Sequence, residues 1–276
     1  MVVEINLKLI KPSKELRLAC FGYDNIGKTR KYGPRAGLDG YLKLFSCINK
    51  DWELILGPDA HYRELIDKVI LKKLNSKDKQ LLKSLKKIVK IKPYPKVERL
   101  LNKELIKYKE KIFPKIISEF DKIYTPTKAK LVVFSVSSRT DYGGSATEHS
   151  YYLSADNLER VKKCSKDNDN YHLITHELIH AINSNNSIYK NIEKRISSDK
   201  RSNNHSDFSE VFTETITNIV CYNAGLEKAK WRSYRYPGSK KACLFEDKLR
   251  KHYETWEKQK TKNKPKFIEY LDKNLK

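Results

Sequence analysis

The chain reads as an α+β protein with a largely helical N-terminal region, and three observations predict this. Apolar residues recur near a 3.6-residue period from His61 to about Tyr124. A strongly β-prone run, Leu131–Val136, is followed closely by a second short run, Ser150–Ser154. Two further amphipathic segments, Tyr171–Asn183 and Asp207–Tyr222, then read as helices.

In chain order, Leu7–Leu56 is punctuated by Gly22, Gly27, Gly33, Pro34, Gly37 and Gly40, which predicts turns between short strands such as Leu16–Phe21 and Trp52–Leu56. The helical stretch that follows is Lys-rich, with Leu65, Val69, Leu81, Leu85, Leu101 and Leu105 on its apolar stripe and breaks at Pro93 and Pro95. Pro126 ends it, since the ring removes a donor and the residue before proline is pushed out of the helical region. Gly143-Gly144-Ser145 reads as a turn, Lys162–Asn170 and Ser184–Asn204 as polar connections. The remainder reads as basic helices with a Pro237-Gly238 turn and a break near Pro265. These shifts predict two domains, residues 1–125 and 126–276.

The 276 residues carry 57 Lys+Arg against 34 Asp+Glu, a formal net charge of +23. A chain of this length buries roughly three-quarters of its unfolded surface. No apolar run is long enough to span a bilayer, and Met1–Ile10 lacks the layout of a Sec-type signal peptide. Five scattered cysteines with no CxxC pair predict reduced thiols in a cytosolic setting and disfavour a cysteine-ligated zinc. The positive charge has two readings: an anionic partner, whether nucleic acid, acidic protein or membrane surface, or a Lys-rich composition with no partner behind it.

Two motifs carry chemistry. Gly22–Thr29, GYDNIGKT, matches the phosphate-cradling GxxxxGK[ST] loop. That loop needs a strand before it and a helix directly after it. Gly33, Pro34 and Gly37 would break such a helix within two turns, so the segment is expected to be a Gly-rich turn. The second motif, His176-Glu177-Leu178-Ile179-His180, matches HExxH and lies inside a predicted helix. Residues four apart share a helix face, so both imidazoles can reach one metal ion, with Glu177 beside that face. His172 lies on the same stripe. It is expected to be exposed or at a cleft rim rather than a ligand, because the outermost of three side chains on one helix start about 12 Å apart.

A catalytic zinc takes three protein ligands and keeps one open position. Glu210 and Glu214 lie one turn apart on the predicted helix 207–222, where two bare carboxylates repel. A zinc bound by Glu210, and a ligand histidine held by Glu214, would relieve that repulsion. The alternative for Glu210 is a capping box with Asp207 at the N-cap, and for Glu214 a solvated face.

HExxH followed by Glu-x-Phe-Thr-Glu (210–214) resembles the gluzincin metallopeptidases, particularly those of the anthrax lethal factor type. His176–Ala181 also resembles the clostridial neurotoxin light chains and some injected bacterial effector proteases. The resemblance covers about residues 130–222. It implies a zincin-like catalytic domain, one Zn2+ per chain held by His176, His180 and Glu210, and Glu214 supporting a ligand histidine. It further implies an edge strand near Gly143–Ser154 that holds extended substrate. The implied activity is that of a metalloendopeptidase, hydrolysing a protein substrate with zinc-activated water and Glu177 as general base. A cytoplasmic protein, or one delivered into a host cell as a toxin or effector, fits this type. The lethal factor type also carries a tyrosine several residues before the ligand glutamate, which this chain lacks. His205, Tyr234 and Tyr236 are therefore the candidate transition-state donors. His205-Ser-Asp-Phe208 loosely resembles SprT-like DNA-associated proteases, in which a third histidine completes the site, and a non-enzymatic basic nucleic-acid-binding protein is the reading from a different class.

Overall fold

The structure, a computed structural model, describes residues 3–24, 59–88, 95–137, 143–147, 149–155, 157–166, 169–198, 205–226, 240–261 and 263–275. The elements are β1 (Val3–Leu9), α1 (Lys14–Gly22), α2 (Asp59–Ile70), α3 (Ser76–Ile88), α4 (Pro95–Lys107), a π-helical turn (Tyr108–Ile112), α5 (Phe113–Ile123), β2 (Thr127–Val136), β3 (Gly143–Ala146) and β4 (Ser150–Ser154). They continue with α6 (Leu158–Lys166), α7 (Asp169–Asn183), α8 (Ser187–Ser198), α9 (His205–Asn223), α10 (Lys240–Glu257) and α11 (Phe267–Asn274). The architecture is α+β and mostly helical, with one sheet in the order β1-β2-β4-β3. No described helix is long and apolar enough to cross a membrane. The chain forms two compact units: Met1–Leu7 with Lys107–Leu131 and Asn168–Lys276, and Lys8–Ile106 with Val132–Asp167.

In the second of these units, Leu16–Phe21 is helix where a strand was expected. The Ser13 hydroxyl accepts from the Leu16 N–H at 3.1 Å and starts α1, which buries Leu16, Ala19 and Cys20 on one face. This helix runs through Gly22, so the element before the phosphate-loop match is not the strand such a loop needs; Asn25–Thr29, like Trp52–Leu56, lies outside the described residues. Asn75 and Asp78 cap α3 reciprocally, through Asp78 N–H to Asn75 Oδ1 at 2.8 Å and Asn75 N–H to Asp78 Oδ2 at 3.0 Å. Pro95 opens α4, where its missing donor costs nothing. Residues 132–136 of β2 pair in parallel with β4, and β3 pairs antiparallel with β4. Gly143–Ala146 is thus a strand rather than a turn. Gly144 is required there, because a Cβ would strike the buried Tyr151 ring. The core joins Leu16, Tyr62, Leu65, Leu85 and the stacked Phe134 and Tyr152 rings, 5.3 Å apart.

In the other unit, Pro114 sits in the first turn of α5, and the chain leaves the helix at Tyr124 just before Pro126. Ser187–Ser198, expected within a polar connection, forms α8. Asn186 Oδ1 accepts from the Tyr189 N–H at 2.9 Å, while its amide nitrogen donates to Thr127 Oγ1 at 2.8 Å. Tyr189 and Ile192 are buried on the inner face of α8. Likewise Leu158–Lys166 is helical where part of a connection was expected. The α9 helix buries Phe208, Val211, Phe212, Ile216, Ile219 and Val220. It ends in a Schellman turn: Gly225 takes φ +76°, Leu226 N–H bonds Cys221 O at 2.9 Å, and Gly225 N–H bonds Tyr222 O at 2.9 Å. Near Pro265 the chain turns into α11, and Pro265 O accepts from Trp256 Nε1 at 2.8 Å. Cys20 and Cys221 are free and buried.

Candidate metal centre

Helices α7 and α9 carry the site. On α7, Ile174, Leu178, Ile179 and Ile182 are fully buried, which fixes the helix rotation and leaves His172, His176 and His180 on one stripe, four residues apart. On α9 the buried Val211, Phe212 and Ile216 do the same for Glu210 and Glu214. A buried polar chain locks the register between the helices. Tyr124 OH donates to Asn183 Oδ1 at 2.8 Å, Asn183 Nδ2 donates to Thr213 Oγ1 at 3.2 Å, and Thr213 Oγ1 lies 3.4 Å from His180 Nδ1. From the other side, Tyr108 OH lies 2.9 Å from Thr175 Oγ1, which itself donates to Tyr171 O.

The result is a convergence of three donors. His176 Nε2 and His180 Nε2 are 3.1 Å apart; Glu210 Oε2 is 3.4 Å from the first and Glu210 Oε1 is 3.5 Å from the second. Atoms bound at 2.0–2.1 Å to a tetrahedral ion are about 3.3–3.4 Å from one another. Each nitrogen lies near that length from one Glu210 oxygen, Oε2 for His176 and Oε1 for His180, and with one donor atom per residue the three lie within 4.8 Å of one another. Two imidazole nitrogens and a carboxylate, all partly exposed, form the group among the described residues that can hold a metal ion. This N2O set suits zinc and several other first-row divalent metals.

Glu214 lies behind the donors. Its Oε2 is 3.1 Å from His176 Nδ1, and its Oε1 is 3.2 Å from His172 Nε2. A proton on His176 Nδ1 satisfies the carboxylate and leaves the Nε2 lone pair facing Glu210 and His180. Without an ion, charge collects at this point. Burial alone would lower the His176 pKa, but Glu210, Glu214 and Glu177 outweigh it and raise it to about 9. Hydrogen bonding to His176 and then His180 holds Glu210 far below the usual carboxylate range. Burial pushes Glu214 up, and the two histidines it bonds overcome this and bring it well down.

The candidate ligands His176, His180 and Glu210 thus come together, and Glu214 lies within hydrogen-bond distance of His176 Nδ1. Helix α9 begins at His205, so Asp207 lies within it, and Glu210 does not sit three residues after an N-cap as the capping-box alternative requires. Glu177 is half-buried on α7 next to His176, near enough for its charge to raise that imidazole. His172 departs from expectation: it is buried, 5% exposed, against Glu214 rather than exposed or at a cleft rim. The His205 backbone starts α9, while its side chain and both Tyr234 and Tyr236 lie outside the described residues. Thr213 and Asn183 were missed by motif reading, and their only signal was polar side chains on otherwise buried helix faces. Compared with models of protein families, with curated proteins and with solved structures, the chain matched none.

Proposed function

We propose that the protein is a zinc-dependent endopeptidase of the gluzincin type, with a zincin-like arrangement of α7 and α9 at its centre. The observation that carries this reading is the meeting of His176 Nε2, His180 Nε2 and a Glu210 carboxylate at tetrahedral-edge spacing, with a glutamate next to the first histidine. His176, His180 and Glu210 hold the ion. When bound, zinc acidifies water and polarises a peptide carbonyl. Glu177 takes a proton from the attacking water and returns it to the leaving amine. Glu214 keeps His176 in the tautomer that offers Nε2. The substrate is a protein segment, and the basic chain favours an acidic one.

The test uses purified, zinc-replete protein incubated with a peptide library derived from whole-cell proteome, with new N-termini identified by mass spectrometry. The wild type is expected to generate them and Glu177→Gln to generate none. An identical set of cleavages from both proteins, or none from a zinc-loaded wild type, would overturn the proposal.

A further inference from the structure

Motif reading leaves out the third histidine of the α7 stripe. His172 is buried and stands one turn before His176. Its Nε2 lies 3.2 Å from Glu214 Oε1 and 3.4 Å from Oε2, while Oε2 also lies 3.1 Å from His176 Nδ1. One carboxylate therefore faces two ring nitrogens of the same helix. Glu214 reaches His176 from another helix through a side chain with three rotatable bonds, and a single hydrogen bond leaves its carboxyl plane free to rotate. A second donor, placed one turn back, fixes that plane.

We propose that His172 is a positioning residue of the metal centre. Its Nε2–H holds the Glu214 carboxylate against Nδ1–H of His176, and so keeps the His176 Nε2 lone pair aimed toward Glu210 and His180. The inference rests on the metal-centre reading and adds a residue to it. His172 does not touch the donor triangle itself; it acts through Glu214. Partners of this kind behind a ligand histidine change metal affinity by 10–100-fold.

The direct test is zinc affinity of the full chain, measured by competition with a chromophoric chelator, alongside the melting temperature of each metal-free variant. His172→Phe, which keeps a planar aromatic ring and loses the donor, is expected to weaken zinc binding by at least about tenfold. His172→Gln, whose amide N–H reaches to about the same place, should stay within about threefold of wild type. In a Glu214→Gln background, His172→Phe should cause little further loss, because the route runs through that carboxylate. Wild-type affinity in His172→Phe, equal losses in the Phe and Gln variants, or an undiminished loss in the Glu214→Gln background would each overturn the inference while leaving the metal centre standing. A wild type that binds no zinc would remove the metal-centre reading and this inference together. A measurement on the unaltered protein guards against variants that fail to fold. Imidazole 15N spectra of the zinc-loaded chain should show His172 protonated at Nε2, and the opposite tautomer would refute the proposal.

Discussion

Zinc affinity should rise steeply with pH up to about 9, and its size follows from the His176 environment. In the metal-free protein burial lowers this imidazole, but the Glu210, Glu214 and Glu177 charges raise it to about 9. An imidazolium has no lone pair for a metal, so zinc must displace that proton. At pH 7 the group sits two units below its pKa. The apparent dissociation constant should therefore be roughly 100-fold weaker than above pH 9, or about 3 kcal/mol, changing about tenfold per pH unit between. Chelator competition at several pH values gives the slope. Calorimetry in two buffers of different ionisation enthalpy counts the protons, with about one expected per zinc at pH 7. An affinity that is flat from pH 7 to 9, with no proton released, would refute the reasoning. Stability of the metal-free fold runs the other way. The folded pKa lies above the unfolded value of about 6.5, so the stabilisation is complete below that pH and is lost as pH rises through about 9. Its melting temperature should fall across this window while zinc affinity grows.

Other outcomes follow from the same geometry. Glu210→Ala should bind less than one zinc per chain by elemental analysis, whereas His205→Ala should retain it; the reverse pattern would favour the SprT-like reading. Glu177→Gln should keep its zinc by elemental analysis and lose roughly 10²–10⁴-fold in peptide hydrolysis, the share that proton transfer supplies. Tyr108→Phe removes a buried hydroxyl that supports Thr175, and it should cost about 1 kcal/mol of stability, a fall of roughly 2–4 °C in melting temperature.

Much of the candidate site's geometry was legible in the sequence, because HExxH and the two glutamates sit on helices whose apolar faces are long and regular. Leu178, Ile179 and Ile182 on one helix, and Val211, Phe212 and Ile216 on the other, announce which sides turn inward. Burial of His172 was not legible. Spacing along one helix says nothing of what covers it, and here the cover is a carboxylate 42 positions away in the chain. Helix α8 was hidden for another reason. Its inner face rests on isolated residues such as Tyr189 and Ile192 among Ser, Asn and Lys, and a side-chain cap from Asn186 starts it. Residues 16–21 misled through composition: a short apolar run bounded by glycine looks like a strand, and only the Ser13 cap reveals a helix.

X-ray absorption at the zinc edge of the metal-loaded chain tests the central idea most directly. The account predicts one zinc per chain, bound by two imidazole nitrogens with the remaining ligands oxygen, all at about 2.0–2.1 Å. A shell of three imidazoles, any sulfur at about 2.3 Å, or no zinc retained under metal-replete conditions would contradict it.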